Sequence, residues 1–263
     1  MEPNAKVICF ANQKGGTAKT TSTIAMGAAL THKGYKVLLI DFDSQASLSI
    51  SLGIENPDSL NATICDLLNF AINEQFFDPE QYILHHAEGF DFIPANIDLA
   101  AMDVYLINVL GREYILRGII DQIRYLYDFI LIDCMPSLGM LTINALSAAG
   151  SVIIPVQSSY LSAKGIEQLL KSIGKVRKQI NPNLSVEGVL ITLVDKRTNY
   201  ARNIISLLKE SYGSYLHVFK TTIPLSVRAA EASATGSSIF AYDPNGKVAM
   251  SYLSVCEEVL LHE

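Results

Sequence analysis

Val7-Ile8-Cys9-Phe10-Ala11, followed by Lys14-Gly15-Gly16-Thr17-Ala18-Lys19-Thr20-Thr21, is the stretch on which the fold turns. The five apolar residues read as a strand buried on both faces. The glycines let the backbone bend so that successive N–H groups converge on an anion. Thr20 to His32 reads as a helix, whose N-terminus adds partial positive charge where a phosphate is favoured. Lys19 is placed to reach the β- and γ-phosphates of a nucleotide, and the Thr20 hydroxyl is placed to bind Mg²⁺. A Gly-Gly loop alone says little. Strand, loop, Lys-Thr and helix in that order describe a nucleotide-phosphate site.

Working outward, Val37 to Ile40, Phe129 to Ile132, Val152 to Val156 and Val189 to Val194 are further short apolar runs. Ala163 to Ile180 and Tyr200 to Ser211 read as helices between or beyond them. The alternation predicts an α/β fold: a mostly parallel twisted sheet with helices on both faces. No repeat, low-complexity tract or Pro/Gly/Ser-rich linker interrupts it, so residues 1–263 are expected to form a single P-loop NTPase domain. Ligands of such sheets sit beyond the carboxyl ends of the strands.

Two of those ends are acidic. Leu38-Leu39-Ile40-Asp41-Phe42-Asp43-Ser44-Gln45 puts two carboxylates two residues apart, directed to one side of a strand end. Phe129-Ile130-Leu131-Ile132-Asp133 is an apolar strand ending in a carboxylate, which places Asp133 at Mg²⁺ directly or through water. Asp41 alone is equally well read as a helix or turn cap.

Hydrophobic residues make up 49% of the chain and charged residues 17%, enough for a real core. No run of 18 apolar residues marks a membrane span, and Asn12 to Gly15 break the first apolar run too early for a secretion signal. The four cysteines contain no C-x-x-C pair and read as reduced thiols, while His85-His86 reads as a surface loop pair. Net charge is −6, unevenly spread: residues 164–247 hold 12 basic against 6 acidic side chains. That half is either a basic patch or a set of solvated helix faces.

The phosphate loop resembles that of the deviant Walker A family, ParA, MinD and their relatives, with pattern K-G-G-x-G-K-[ST]-T. Gly15, Gly16, Thr17, Ala18, Lys19, Thr20 and Thr21 match its nucleotide-binding positions. Lys14 matches the lysine that in this family crosses a dimer interface to the partner's nucleotide and neutralises charge during phosphoryl transfer. The Asp41–Gln45 segment is similar to D-x-D-P-Q; the resemblance implies that Asp43 orients the attacking water and Asp41 supports the Mg²⁺ shell. The segment from Asp133 looks like I-D-x-P-P-S-L-G, with Met135 for the first proline. Ala18 stands where the family has glycine. Lying one residue before the helix, it is expected to have helical geometry, where alanine costs little.

Further segments resemble the ParA/Soj branch: Ile154-Pro155-Val156-Gln157 with Ala163-Lys164-Gly165, Asp195 to Asn199, and Ile223 to Ala232. This resemblance implies an ATP- and Mg²⁺-dependent DNA-partitioning ATPase, with an ATP-sandwich homodimer and a ParB-like centromere-binding partner. It implies a cytoplasmic, nucleoid-associated protein whose Arg197 and Arg228 contact DNA non-specifically. Arg202, Lys220 and Lys247 match no motif, and Pro224 is a candidate adenine contact.

Three alternatives stand beside this reading. A MinD-like positioning ATPase needs a basic amphipathic C-terminal helix, whereas Glu257 to Glu263 is acidic. A nitrogenase-reductase-like protein needs two cluster cysteines per subunit, and Cys134 alone is placed for that. An ATP-binding dimer switch with negligible hydrolysis differs only in turnover.

Overall fold

The computed structural model describes residues 5–195 and 197–261, the side chains of residues 160–164 excepted. Lys196 and the side chains of Ala163 and Lys164 therefore lie outside the described residues. The strands are β1 (Lys6–Phe10), β2 (Val37–Phe42), β3 (Leu84–His85), β4 (Asp91–Ile93), β5 (Phe129–Cys134), β6 (Ser151–Gln157) and β7 (Ser185–Thr192). The helices are α1 (Lys19–His32), α2 (Ser47–Ser51), α3 (Ile64–Ile72), α4 (Leu99–Tyr105), α5 (Ile115–Ile123) and α6 (Met140–Ala148). They continue with α7 (Tyr160–Gln179), α8 (Asn199–Tyr212), α9 (Val227–Ala234), α10 (Ile239–Tyr242) and α11 (Lys247–Leu261).

The strands form one sheet in the order β3-β4-β2-β5-β1-β6-β7. All neighbours run parallel except β3, which pairs antiparallel with β4 at one edge. The apolar runs are continuous because both faces are covered, yet their side chains still alternate. Val7 and Cys9 of β1, Leu38 and Ile40 of β2, and Ile130 and Ile132 of β5 face one core layer with α3 to α8. Ile8, Phe10, Leu39 and Leu131 face the other, against α1 and α11. Strands this apolar on both faces are buried by helix layers on each side of the sheet, a three-layer sandwich.

Several expectations needed correction. Val189–Thr192 is strand as read, but Leu193 leaves it with φ 54°, so β7 ends before Val194. His85 and His86 are not a loop pair. His85 is paired in β3, its Nδ1 2.6 Å from Asp91 Oδ1, and His86 is stacked on Phe90. Cys134 is the buried last residue of β5, against Cys9, rather than part of the following loop. The Cys9 thiol and burial both push Cys134 well up, so it stays protonated and inert. All four cysteines are free and buried.

Glu257 to Leu261 of the acidic C-terminal stretch belong to α11, which packs its stripe of Val248, Tyr252, Val255, Cys256 and Val259 along α1; His262 and Glu263 lie outside the described residues. Its apolar face is core. Among the described residues no helix is long and apolar enough to cross a membrane. The segment from Asn56 to Ala95 supplies α3 and β4, which extends the sheet beyond β2.

Candidate functional site

The carboxyl ends of β1, β2, β5, β6 and β7 lie along one rim, and the phosphate loop leaves from the middle of it. Two contacts missed in the sequence brace that loop. Asn12 Nδ2 donates to the Pro155 carbonyl at 2.7 Å, while its Oδ1 accepts from the Lys14 N–H at 3.0 Å. The Thr192 hydroxyl donates to the Thr17 carbonyl at 2.9 Å, tying the end of β7 to the loop. Their only signal in the sequence is a polar side chain at the end of an apolar strand.

Inside the loop, Gly16 has φ 70°, and a Cβ added at Gly15 or Gly16 would meet nothing within 4 Å. Both glycines are exposed and face open space, so their backbone is accessible to an anion. Ala18 corrects the expectation of helical geometry: it caps α1 in the left-handed region, φ 63° and ψ 34°. The Ala18 carbonyl still accepts the Ser22 N–H at 2.9 Å, so the helix starts normally, and the left-handed turn goes with the closure of the loop onto Asn12 and Thr192. No side chain caps α1, which leaves its first-turn N–H groups for an anion. Lys19 is 93% buried at the first helical position, an uncommon place for an unpaired lysine, and its charge acts on Asp133.

The two acidic strand ends meet here. Asp41 and Asp133 are register partners in β2 and β5, both fully buried. Asp41 is fully engaged: its Oδ2 accepts from the Ser49 N–H at 2.8 Å and the Ser49 hydroxyl at 2.7 Å. The capping reading of Asp41 is thus realised, since it holds the first turn of α2. Burial pushes Asp41 up to about 7, against the opposing Ser49 bonds.

Asp133 is different. Its Oδ2 accepts from the Thr20 hydroxyl at 2.6 Å, but its buried Oδ1 has no hydrogen-bond partner. Burial first, then the neighbouring Asp41 charge, push it up to about 8, while Thr20 and Lys19 pull the other way. A buried carboxylate oxygen left bare beside a second carboxylate and a threonine hydroxyl is a hard-oxygen donor set that fits Mg²⁺.

Asp43 lies just beyond β2, 7% exposed, where its Oδ1 accepts the Gln45 N–H at 3.0 Å and its carbonyl accepts the Ala46 N–H at 2.9 Å. Its second carboxylate oxygen is available for a proton or a water. Lys14, Gly15, Gly16, Thr17, Lys19, Thr20 and Thr21 all belong to the loop and first turn, so the expected phosphate residues are together.

Arg197, Arg228 and Pro224 lie on the chain near a second feature, beyond the end of β7. Val194 and Pro224 form a parallel bridge, with the Leu225 N–H donating to the Val194 carbonyl at 3.1 Å. Arg197 lies in the turn beyond Val194, and Arg228 in the first turn of α9, beyond Pro224. Neither arginine is bare. Arg197 grips Asp195 side-on, Nε to Oδ1 at 2.9 Å and Nη2 to Oδ2 at 2.8 Å, and its guanidinium holds that carboxyl at about 2. Arg228 Nη1 lies 3.1 Å from Asp243 Oδ1. Arg202 donates to its neighbour Asn199, and Lys220 and Lys247 are exposed.

The family described as AAA domain matches residues 5–186. The sporulation initiation inhibitor protein Soj of Bacillus subtilis is 40% identical over 257 residues, covering 97% of this chain and 98% of that protein. The chromosome-partitioning ATPase Soj of Treponema pallidum is 38% identical over 260 residues, covering 98% of each. A crystal structure described as cobyrinic acid a,c-diamide synthase of Mycobacterium smegmatis, with bound ATP analog and magnesium, is 35% identical. It superposes with a TM-score of 0.83 over 98% of this chain and 95% of that one. Fold, phosphate loop and near-complete coverage agree, and the chain belongs to the ParA/Soj family of P-loop partitioning ATPases.

Proposed function

We propose that this chain partitions DNA by binding it without sequence preference in one nucleotide state and releasing it in another. The observation that carries the reading is the Thr20–Asp133 pair with its bare Asp133 Oδ1, at the start of the helix that follows the Gly15-Gly16 loop. The backbone of Gly15 to Thr21 holds the ATP phosphates, and Lys19 supplies the compensating charge from the first turn of α1. Thr20 and Asp133 hold Mg²⁺, with Asp41 behind them keeping β2 and α2 in place. When bound, the cation shields the phosphate oxygens as charge develops on them. Asp43 positions the attacking water and takes its proton. Pro224, bridged to Val194 just beyond β7, borders the adenine.

Two copies close over the nucleotides, and Lys14 of each contributes to the opposite site. Closure doubles the Arg197 and Arg228 surfaces facing DNA, and affinity from phosphate contacts grows steeply with the number neutralised. Those arginines arrive paired to Asp195 and Asp243. Both guanidinium groups are solvent-accessible, so a DNA phosphate can compete with the carboxylate for each of them. The basic part lies mainly within residues 164–247, the partner that stimulates hydrolysis is ParB-like, and the working location is the nucleoid in the cytoplasm.

Binding to non-specific duplex DNA with ATP, with ADP and without nucleotide, at two salt concentrations, tests the reading. Salt-sensitive binding with ATP alone is expected. Lys19→Ala should lose nucleotide binding. Asp43→Ala should keep nucleotide and DNA while hydrolysis falls about 10²–10⁴-fold, the usual worth of a positioned base. An Arg197→Glu/Arg228→Glu variant should hydrolyse ATP yet not hold DNA; unchanged DNA affinity in it would sink the patch.

A further inference from the structure

The chain that leaves Asp43 does not run out into solvent. It turns directly into α2, and α2 ends at Gly53, which has φ 92°. Gly53 lies against Gly236, φ 69°, in the short loop between α9 and α10. A Cβ placed on Gly236 would sit 2.8 Å from Gly53 Cα and 3.1 Å from Gly53 N. This is main chain on main chain, with no side chain between to absorb a displacement by changing rotamer. It is also the only place where two positive-φ glycines of the described residues meet.

Both ends of the contact are held. On the α2 side, Asp41 grips the Ser49 N–H and hydroxyl, and Ser49 Oγ accepts the Ala95 N–H at 3.0 Å. The buried carboxylate behind the metal site is thus the same group that fixes α2. On the other side, Glu88 accepts from both the N–H and the hydroxyl of Ser238, and His86 Nε2 lies 3.3 Å from the Gly236 carbonyl. Beyond Gly236, α9 and α10 form one unit, joined by Arg228 to Asp243 and by the Tyr242 hydroxyl to Glu231. Helix α2 packs against α9 itself.

We infer that the Gly53–Gly236 contact transmits the nucleotide state sensed at Asp43 to the α9–α10 unit that carries Arg228. The inference rests on the roles proposed above for Asp43 and Arg228. The loop after Asp43 adjusts when the γ-phosphate is present or lost, α2 shifts with it, and the glycine contact passes the shift to α9. Such coupling is reciprocal: DNA held at α9 changes the affinity for nucleotide by the same factor. Helix α1 borders the same unit across a crevice lined by Ile24, Ala25, Ala229 and Ser233. It is a 14-residue helix strapped down by α11, whereas α2 has five residues and follows Asp43 directly.

Gly236→Ala tests the inference, because its methyl would push α2 and α9 apart at one point. Hydrogen exchange over residues 227–242 is measured with ATP and Mg²⁺ and with ADP, together with DNA affinity in both states. In the unaltered protein, exchange in α9 should differ between the two nucleotides. In Gly236→Ala that difference should largely vanish, and the ATP-to-ADP ratio of DNA affinities should fall about tenfold, within the usual range of site coupling. Nucleotide affinity and hydrolysis without DNA should stay within about twofold. Glu88→Gln, which loosens the Ser238 anchor without adding volume, should move both readouts the same way by less.

A wild-type nucleotide difference retained in both variants overturns the relay, as does an unaltered protein whose α9 exchange ignores nucleotide. If α9 responds in the unaltered protein and both variants lose the response, yet DNA never binds, the relay stands and the DNA-partitioning reading fails instead.

Discussion

Thr20 and Asp133, 113 residues apart in the chain, are joined by a 2.6 Å hydrogen bond from the threonine hydroxyl to Asp133 Oδ2. The bond links the first turn of α1 to the end of β5 and leaves Asp133 Oδ1 buried and bare. A desolvated carboxylate beside Asp41 is costly to the free protein and is relieved by a divalent cation.

Asp133→Asn removes that charge at constant size. The thermal midpoint of the ATP-loaded protein should then no longer rise on adding Mg²⁺ or fall with a chelator. Affinity for ATP with Mg²⁺ should drop about 10–100-fold, the worth of one or two contacts to a charged group. An intact Mg²⁺ response would take Asp133 out of the metal set.

Ala18 holds a left-handed backbone at φ 63°, which costs a non-glycine residue about 1–2 kcal/mol. Glycine removes that cost but is freer in the unfolded chain, which returns about 0.4–1 kcal/mol. Ala18→Gly should therefore stabilise the protein by up to about 1 kcal/mol, seen as a rise of about 2–4 °C in thermal midpoint. A lower midpoint would mean the loop is not strained at this position.

The hydroxyls of Ser22 and Tyr252 lie 2.9 Å apart, both in fully buried residues, and join α1 to α11 behind the phosphate loop. Tyr252→Phe strands the serine hydroxyl and should cost about 1–3 kcal/mol in urea unfolding. Adding Ser22→Ala should recover a good part of it, a coupling of at least about 0.5 kcal/mol. Strictly additive losses would show that the two hydroxyls do not act as a pair.

Glu258 on α11 accepts the Lys220 N–H at 2.8 Å and the Thr221 N–H at 3.0 Å, fixing the segment that leads to Pro224. Burial raises this carboxyl, but those two N–H groups, the Thr221 hydroxyl and His217 outweigh it, and the net shift is downward. A depressed folded-state value means the stabilisation is present above the ordinary glutamate range and is lost as pH falls through the folded value. Glu258→Gln should thus cost under about 1 kcal/mol at neutral pH, the carboxylate being only partly desolvated. The difference in thermal midpoint from wild type should close on acidification. A gap that is constant with pH would assign the effect to shape rather than charge.

The apolar runs ending at Ala11, Ile40 and Ile132 determined the class of sheet by themselves, because only parallel strands covered on both faces bury such runs. The grouping of Lys14 to Thr21 in one loop and first turn, and the placing of Asp43 and Asp133 at strand ends, were legible for a related reason. A phosphate cradle is made by consecutive backbone groups, and a strand-end carboxylate announces itself by breaking an apolar run. The local chemistry and the local sequence coincide.

What only the tertiary structure decided involves partners distant in the chain. That Asp41 engages Ser49 through Oδ2 and the Asp43 N–H through Oδ1, while its register partner Asp133 keeps one oxygen bare, depends on the packing of α2 and α1 at the two strand ends, which no local pattern encodes. The left-handed turn at Ala18 went against the local expectation because loop closure onto Thr192 and Asn12 outweighs one residue's preference. Arg228 was expected only to face DNA, and its pairing with Asp243 arises because α10 folds back on α9. Gly53 and Gly236 are unremarkable in sequence, 183 residues apart, and become a contact only when α2 is laid against α9. Sequence specified the groups that do chemistry; packing specified which of them are already engaged.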